Sequence, residues 1–246
     1  MTRTAILATA LCACTLAASV LTGCSEPLPE TKTGMGKGTT AATVACEGKA
    51  LLSCARKSTI GPYVPKEPTK ATGAPIRLGM INQENTAAGS YPELSQAVMA
   101  GTEFINEQLG GVNGRPLEID VCNTEFSAEG STSCGQRFVE AKVPAVLGGI
   151  DVFGNGIETL AENDIPFVGG IPVSFASVKS PNSFQWSGGS WGASVAFAWY
   201  AAEELDAKKV SIVYADFGSI TDSAEDARDV LEARDVDAQL VPYPVM

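Results

Sequence analysis

From residue 74 onward, short apolar segments alternate with segments of helical period, and this alternation constrains the fold more than any other feature of the chain. Residues 74–80 form a short apolar run. Leu94, Val98, Ile105 and Leu109 then recur at helical spacing, which is typical of one face of a helix. The pattern predicts strands at 74–80, 117–121, 143–149, 166–168, 184–186, 210–214 and 238–241, and helices at 91–109, 131–141, 157–161, 193–205 and 222–234.

Strands that alternate with helices predict an α/β fold with a mainly parallel sheet. In such sheets the ligand site lies outside the carboxyl ends of the strands. The loops at these ends are rich in Gly, Ser, Thr, Asn or Asp, which suits contacts with a small polar ligand through backbone groups. These loops are residues 82–91, 123–130, 148–155, 169–173 and 215–221.

Three aromatic residues and one carboxylate stand out in these loops. Tyr91, Phe153 and Phe217 can cover a ligand cleft, or each can serve local packing. Asp151 follows a buried strand, so it can bind a ligand ammonium or accept hydrogen bonds from its own turn. We predict a ligand site at the strand ends whose further members are Gly154, Asn155, Gly169 and Gly170.

The segment around that carboxylate, residues 148–156, is glycine-rich and lies between a strand and a helix. The N-terminus of that helix favours an anion. The alternative is that the glycines only allow the turn.

Composition excludes several classes of function. The chain has no histidine, which removes histidine-dependent triads and dyads and histidine-ligated metals. Its net charge of −11 argues against a duplex nucleic-acid partner. Neither a phosphate-binding glycine loop nor a serine-nucleophile motif is present. We therefore expect a protein that is not an enzyme and that uses neither a cofactor nor a metal.

The N-terminus has the pattern of an export signal. Arg3 precedes the apolar run 5–20, which is shorter than the ~20 residues of a membrane span. The run ends in Leu21-Thr-Gly-Cys24, which looks like the lipobox of bacterial lipoproteins. We predict a lipoprotein signal peptide over residues 1–23 and a lipid on Cys24. An ordinary signal peptide with a chance cysteine is the alternative.

Residues 24–72 have the Ser, Thr, Pro, Gly and Lys content of a flexible tether. Four cysteines remain after the predicted leader and lipid site, and an even number in an exported chain indicates two disulfides. Three pairings are open, and short separations favour Cys46 with Cys54 and Cys122 with Cys134. The first bond would close a small loop within the tether.

Four segments together resemble the branched-chain amino-acid ABC transporter substrate-binding proteins, which are type I periplasmic binding proteins with a leucine-binding-protein domain. The segments are Ile76–Glu93, Phe104–Leu117, Ile165–Gly169 and Ala207–Gly218. The resemblance implies doubly wound parallel sheets in two lobes that close on a ligand, with a first lobe over 73–188 and the start of an incomplete second lobe over 189–246.

In that family, the loops that correspond to 149–155 and 169–173 hold the ligand's carboxylate and ammonium, and an aromatic residue corresponds to Phe217. The sequence departs at Ile150–Gly154, where the family has a Ser/Thr cluster. This departure puts leucine, isoleucine or valine as ligand in doubt.

Together these features predict a lipid-anchored receptor of the cell envelope, on the outer face of the cytoplasmic membrane or in the periplasm. Its expected partners are a small polar ligand, such as an amino acid or a related compound, and an ABC permease. A ligand sensor of the same fold and an envelope enzyme on an α/β scaffold are the alternatives.

Overall fold

The computed structural model of the protein describes residue 46, residues 48–87 and residues 89–244. Within these ranges no helix combines the length and the apolar character that crossing a bilayer requires. The elements, in chain order, are α1 Lys49–Arg56, the 3-10 helix η1 Gly61–Tyr63, β1 Ile76–Asn82, α2 Pro92–Gln108, β2 Leu117–Asn123, α3 Ala128–Glu140, β3 Val146–Gly148, α4 Asn155–Glu162, β4 Phe167–Val168, α5 Phe175–Lys179, β5 Ser183–Phe184, α6 Gly189–Glu203, β6 Lys209–Ala215, α7 Gly218–Glu232 and β7 Asp237–Tyr243.

The first lobe is built on a five-stranded parallel sheet in the order β2-β1-β3-β4-β5. Ile76 pairs with Leu117 at one end of β1, and Asn82 pairs with Asn123 at the other. The chain runs from β1 through α2 to β2, and from β2 through α3 back past β1 to β3. Because crossovers between parallel strands are right-handed as a rule, α2 and α3 lie on opposite faces of the sheet. The α/β class and the parallel sheet predicted from the alternation are confirmed.

The core of this lobe lies between the sheet and the face that α3 and α4 cover. Phe138 of α3 is fully buried, and its ring takes the space that a Cβ on Gly79 would need. The other buried members of this cluster are Ile81, Cys122, Cys134, Val143, Val146, Ile157, Leu160, Ile165, Phe167 and Ala176.

Both cysteine pairs favoured by separation are disulfides in the structure. Cys122 at the end of β2 bonds to Cys134 in α3, with Cα atoms 5.6 Å apart. Cys46 bonds to Cys54 of α1, with Cα atoms 5.9 Å apart. The first bond fixes the crossover from β2 to α3, and the second closes the loop before α1.

The second lobe has a two-stranded parallel sheet of β6 and β7 within the described residues. Helix α7 contacts both strands, whereas α6 packs mainly against α7. Leu231 is fully buried in the small core of this lobe, together with Ala198, Ala227 and Val236. Helix α6 begins at Gly189, directly after the segment that follows β5.

The range predicted as a flexible tether contains ordered elements where the structure describes it. The Arg56 guanidinium at the end of α1 donates to the carbonyl of Pro65 at 2.8 Å. The Ala71 amide donates to Asn106 O of α2 at 2.8 Å, so this segment lies on the first lobe. The predicted signal peptide, the lipid site at Cys24 and the tether up to residue 45 lie outside the described residues.

Several helices begin earlier than their apolar pattern suggests. Helix α3 begins at Ala128, because the Ser127 hydroxyl caps it by accepting from the Gly130 amide. Helix α7 begins at Gly218 rather than at residue 222, because Gly218 has a φ of 46° and lets the chain turn directly into the helix. The short helix α5 was not predicted. The feature that indicates the start of this helix is the capping box of Ser174 and Ser177.

Candidate functional site

The loops that follow β1 and β3 are joined by Asn82, which is fully buried at the carboxyl end of β1. Its amide nitrogen donates to Tyr91 O at 2.8 Å and to Glu84 Oε1 at 2.9 Å. Its amide oxygen accepts from the Ile150 amide at 3.0 Å. One side chain thus holds both loops at the sheet edge. Asn82 was not predicted as a site residue, although it begins the first of the loops named from the sequence.

Asp151 is buried behind the loop that follows β3. Its Oδ2 accepts from the Ser131 hydroxyl of α3 at 2.7 Å, and its Oδ1 accepts from the Gly154 amide at 3.1 Å. The Ser131 oxygen in turn accepts from the Gly156 amide at 2.7 Å. The carboxylate, the hydroxyl and the two amides form one buried network that fixes the loop to α3.

Burial raises the pKa of the Asp151 carboxyl above its ordinary value, while the hydrogen bonds from Ser131, Gly154 and Phe153 act to lower it. Only 4% of the residue is exposed. The sequence allowed two roles for Asp151: binding a ligand ammonium, or accepting hydrogen bonds from its own turn. In the structure Asp151 accepts such hydrogen bonds. These hydrogen bonds hold the carboxylate within the first lobe, and its contact with a ligand ammonium stays a prediction.

Phe153, Phe217 and Phe126 form an aromatic cluster that spans the two lobes. Phe126 lies edge-on to Phe153, with ring centroids 5.5 Å apart, and to Phe217, at 5.6 Å. Phe153 and Phe217 lie 6.3 Å apart. Because Phe217 belongs to the second lobe, these contacts connect the lobes. Phe153 and Phe217 are predicted site residues, whereas Phe126 is not.

Phe126, like Asn82, was not predicted as a site residue. It has a φ of 51°, and Glu125 before it has a φ of 53°, which is unusual for side chains of this size. A strained backbone of this kind costs ~1–3 kcal/mol and persists only where its surroundings hold it. The feature of the sequence that could have identified Phe126 is its place in the loop 123–130, at the carboxyl end of β2.

A cavity of about 750 Å³ lies between the lobes. From the first lobe it is lined by Tyr91, Ile150, Val152 and Val173. From the second lobe it is lined by one side of α6, by β6 and by the facing side of α7. Among the described residues that line it, none carries a charged side chain. A ligand in this cavity therefore meets apolar walls, hydroxyl groups and backbone groups.

Of the predicted site residues, Tyr91 lines this cavity, and the other seven are not among its lining residues. Gly154, at a φ of 79°, lies against Ala176 and precedes α4, which begins at Asn155. Gly169, at a φ of 75°, lies under the indole of Trp186, where a Cβ would be 1.7 Å from the ring. These two glycines are required by the backbone turns that bring the loops together.

Gly170, which follows at a φ of 90°, packs against the backbone of the loop after β3: a Cβ there would be 2.6 Å from Gly149 O. The amide of Ile171 donates to that same carbonyl at 3.0 Å. The predicted loops after β3 and β4 therefore lie side by side.

Direct contacts between the lobes lie beside the cavity. The Phe175 amide of the first lobe donates to the Ser219 hydroxyl of α7 at 2.8 Å. The ring of Trp191 in α6 lies 5.8 Å from that of Phe175, and its indole nitrogen donates to Asp226 at 2.6 Å. The Ser190 amide donates to Pro172 O at 3.1 Å. The described residues contain no group of acidic or cysteine side chains suited to holding a metal ion.

Two sheet-and-helix lobes with a cavity between them, at the carboxyl ends of parallel strands, define a two-lobed ligand-binding protein. The comparison with known families agrees, since the profile of a periplasmic binding protein family matches residues 75–245. The chain belongs to this family, whose members are extracytoplasmic solute-binding proteins. A search of curated protein sequences gave no match.

Solved structures share the fold at low sequence identity. The leucine-binding protein LivK from Thermotoga maritima superposes with a TM-score of 0.53 at 16% identity, over 69% of this chain and 49% of that one. LivJ from Streptococcus pneumoniae, in complex with isoleucine, superposes with a TM-score of 0.53 at 18% identity, over 70% of this chain and 49% of that one. A solute-binding protein from Rhodopseudomonas palustris, in complex with 3,4-dihydroxybenzoic acid, superposes with a TM-score of 0.55 at 16% identity, over 69% of this chain and 47% of that one. The chain thus spans about half the length of these structures.

Proposed function

We propose that the protein is a lipid-anchored solute-binding protein of an ABC importer, and that it binds a small solute between its lobes. The observation that carries the proposal is the uncharged cavity of about 750 Å³ at the carboxyl ends of the strands. Cavities of a few hundred cubic ångströms or more, lined mainly by apolar groups with few polar ones, are typical of small-molecule sites.

The lining residues favour a small solute with an apolar body and with polar groups that hydroxyl and backbone groups can bind, such as an amino acid or an aromatic acid. Ile150, Val152 and Val173 supply the apolar wall, while Tyr91 and Ser194 supply hydroxyl groups. The structures that share the fold include one with isoleucine and one with 3,4-dihydroxybenzoic acid, both small carboxylates. Their ligands support this choice of solute class.

Closure of the lobes would couple binding to transport. A ligand that contacts both lobes stabilises the closed state by its difference in affinity for the two states. The contacts of Phe126 and Phe153 with Phe217, and of Phe175 with Ser219, are interlobe contacts that this closure would use. A permease would then receive the closed, loaded form.

A thermal-shift screen of the purified chain tests the proposal. The panel should hold amino acids, their amides, aromatic and short aliphatic acids, and polyamines. A ligand at a hundred times its Kd stabilises the native state by about 2.7 kcal/mol. For a chain of this size that corresponds to a rise in Tm of about 5–10 °C. We expect such a rise with one class of small carboxylate, and a panel without any rise would contradict the proposal.

A further inference from the structure

Residues 57–65 follow α1 and form a surface loop whose two ends lie close together. The Arg56 guanidinium, directly before the loop, donates to the carbonyl of Pro65 at 2.8 Å and to that of Lys66, directly after it. A compact surface loop of this length with adjoining ends is an Ω-loop, and such loops are frequently functional. We call it the Tyr63 loop, after its exposed aromatic residue.

The backbone of the Tyr63 loop is fixed by short-range contacts. The Gly61 amide donates to Ser58 O at 3.0 Å, and the Tyr63 amide donates to Ile60 O at 2.9 Å. Gly61 lies against the end of α1, where a Cβ would be 2.3 Å from Arg56 O. Along the chain, the disulfide at α1 precedes the loop, and the hydrogen bond to α2 follows it. The loop is therefore a preformed surface on the first lobe.

The Tyr63 loop exposes apolar surface that the core does not use. Tyr63 is 83% exposed and Ile60 is 43% exposed. The 3-10 helix η1, which contains Tyr63, has no buried residue. A tyrosine side chain has an apolar ring and a polar hydroxyl, and tyrosine is enriched at the boundary between the hydrocarbon of a bilayer and water. The exposed surface of the loop thus has the chemistry of a membrane contact.

The chain around this loop is basic, although the protein as a whole is acidic. Residues 48–66 contain four Lys and Arg residues and neither Asp nor Glu. Two of the four, Lys57 and Lys66, adjoin the two ends of the loop and are exposed. Residues 73–246 contain nine Lys and Arg residues against 24 Asp and Glu residues, a net charge of −15. An anionic surface therefore attracts the Tyr63 loop and repels the rest of the protein.

We propose that the Tyr63 loop binds the surface of an anionic lipid bilayer. Tyr63 and Ile60 would lie at the boundary with the hydrocarbon, and Lys57 and Lys66 would lie near the lipid phosphates. Each Lys close to an anionic membrane adds to the attraction, which acts only within about a Debye length. The contact would orient the first lobe with this loop towards the bilayer.

The proposal takes the nearness of a membrane from the proposed lipid anchor. Cys24 precedes Cys46 by 22 residues, and a chain of that length spans at most about 75 Å when fully extended. A lipid on Cys24 would thus hold the Tyr63 loop close to the bilayer surface. The chemistry of the loop itself does not depend on the anchor, so the two can be tested separately.

The test uses the mature chain from residue 24 with Cys24→Ser and with both disulfides formed. This chain cannot carry the lipid, so its binding to vesicles does not depend on the anchor. Co-sedimentation is measured with phosphatidylcholine vesicles that either contain or lack phosphatidylglycerol. We expect at least about tenfold tighter binding to the anionic vesicles, and weaker binding as salt is added. Equal binding to both kinds of vesicle would overturn the proposal.

Charge reversal locates the contact. Lys57→Glu combined with Lys66→Glu should weaken binding to the anionic vesicles by at least about tenfold. Lys208→Glu combined with Lys209→Glu is the matched control, because it changes the net charge equally at two exposed positions of the second lobe. The control should retain at least about half of the parent affinity, since these positions lie outside the loop. Equal losses in both double variants would show that only the net charge matters and would overturn the proposal.

Removing the aromatic ring tests the apolar part of the contact. Tyr63→Ala should weaken binding to the anionic vesicles by at least about threefold. Tyr200→Ala is the matched control, because Tyr200 is 51% exposed on α6 of the second lobe. No loss in Tyr63→Ala would contradict a contact through this loop.

Two further outcomes separate this proposal from others. Loop variants that bind vesicles like the parent chain but lower solute uptake in cells would assign the loop to a permease and overturn the membrane contact. No residue of the Tyr63 loop is among those that line the cavity between the lobes. A solute that raises the Tm of a chain without preference for anionic vesicles would therefore refute the membrane contact and leave the solute site standing.

Discussion

Ser131→Ala should lower the free energy of unfolding by about 2–5 kcal/mol, because it leaves two buried polar groups without partners. The hydroxyl is fully buried, donates to Asp151 Oδ2 at 2.7 Å and accepts from the Gly156 amide at 2.7 Å. Each lost partner of a buried group costs ~1–3 kcal/mol, and a charged group costs more.

The loss should also depend on pH. Burial raises the folded-state pKa of Asp151 above its ordinary value near 3.8, and Ser131 acts against this rise. A raised folded-state pKa means that the native state binds the proton more tightly than the unfolded state does. The contribution of Asp151 to stability is therefore complete below the ordinary pKa and is lost as pH rises through the folded-state pKa. Without Ser131 the folded-state pKa of Asp151 rises further. The pH range over which Asp151 contributes to stability therefore extends to higher pH.

Urea denaturation at about pH 4 and about pH 8 measures both effects, since it gives the free energy of unfolding at each pH. The variant should lose more stability at the higher pH. Thr132→Ala is the matched control, because the Thr132 hydroxyl donates only to Ala128 O of its own helix, and it should cost less than about 1 kcal/mol. A loss in Ser131→Ala no larger than this control, or one independent of pH, would refute the role of the network.

Three further outcomes are expected. Replacing Cys122 and Cys134 together by alanine should cost about 3 kcal/mol by the chain-entropy estimate for a 12-residue separation, measured by urea denaturation; an unchanged midpoint would contradict this. Phe217→Ala should remove two ring contacts and about 1–3 kcal/mol of interlobe stabilisation, and a ligand's Kd unaffected by it would exclude the cluster from closure. Intact mass of protein extracted from membranes should show a diacylglyceryl group on an N-terminal Cys24, whereas a mature form that starts elsewhere would disprove lipidation.

The strand and helix order was predictable because it rests on apolar periodicity, which burial between a sheet and the helices that cover it imposes directly. Helix starts were less predictable, since they depend on single backbone and side-chain bonds, such as the cap at Ser127 and the turn at Gly218. Short elements such as α5 have too few residues to show a period.

The position of the site in the fold was predictable, because the carboxyl ends of parallel strands meet at one edge of the sheet. The orientation of each side chain was not. Asp151 turned inward because Ser131, 20 residues away in sequence, offers it a hydrogen bond. Phe126 joined the cluster through a left-handed backbone, which no local pattern of residues around it signals. Such features depend on contacts between distant segments.

Isothermal titration of the solute found by the thermal-shift screen tests the central claim most directly, when it is done on the chain and on two matched variants. Val152→Trp places a large ring in the cavity between the lobes, whereas Val178→Trp places the same ring on the exposed side of α5. We predict saturable binding of one solute per chain, weakened at least about tenfold, or ~1.4 kcal/mol, by Val152→Trp and unchanged by Val178→Trp. Equal affinity in both variants would contradict a solute site between the lobes.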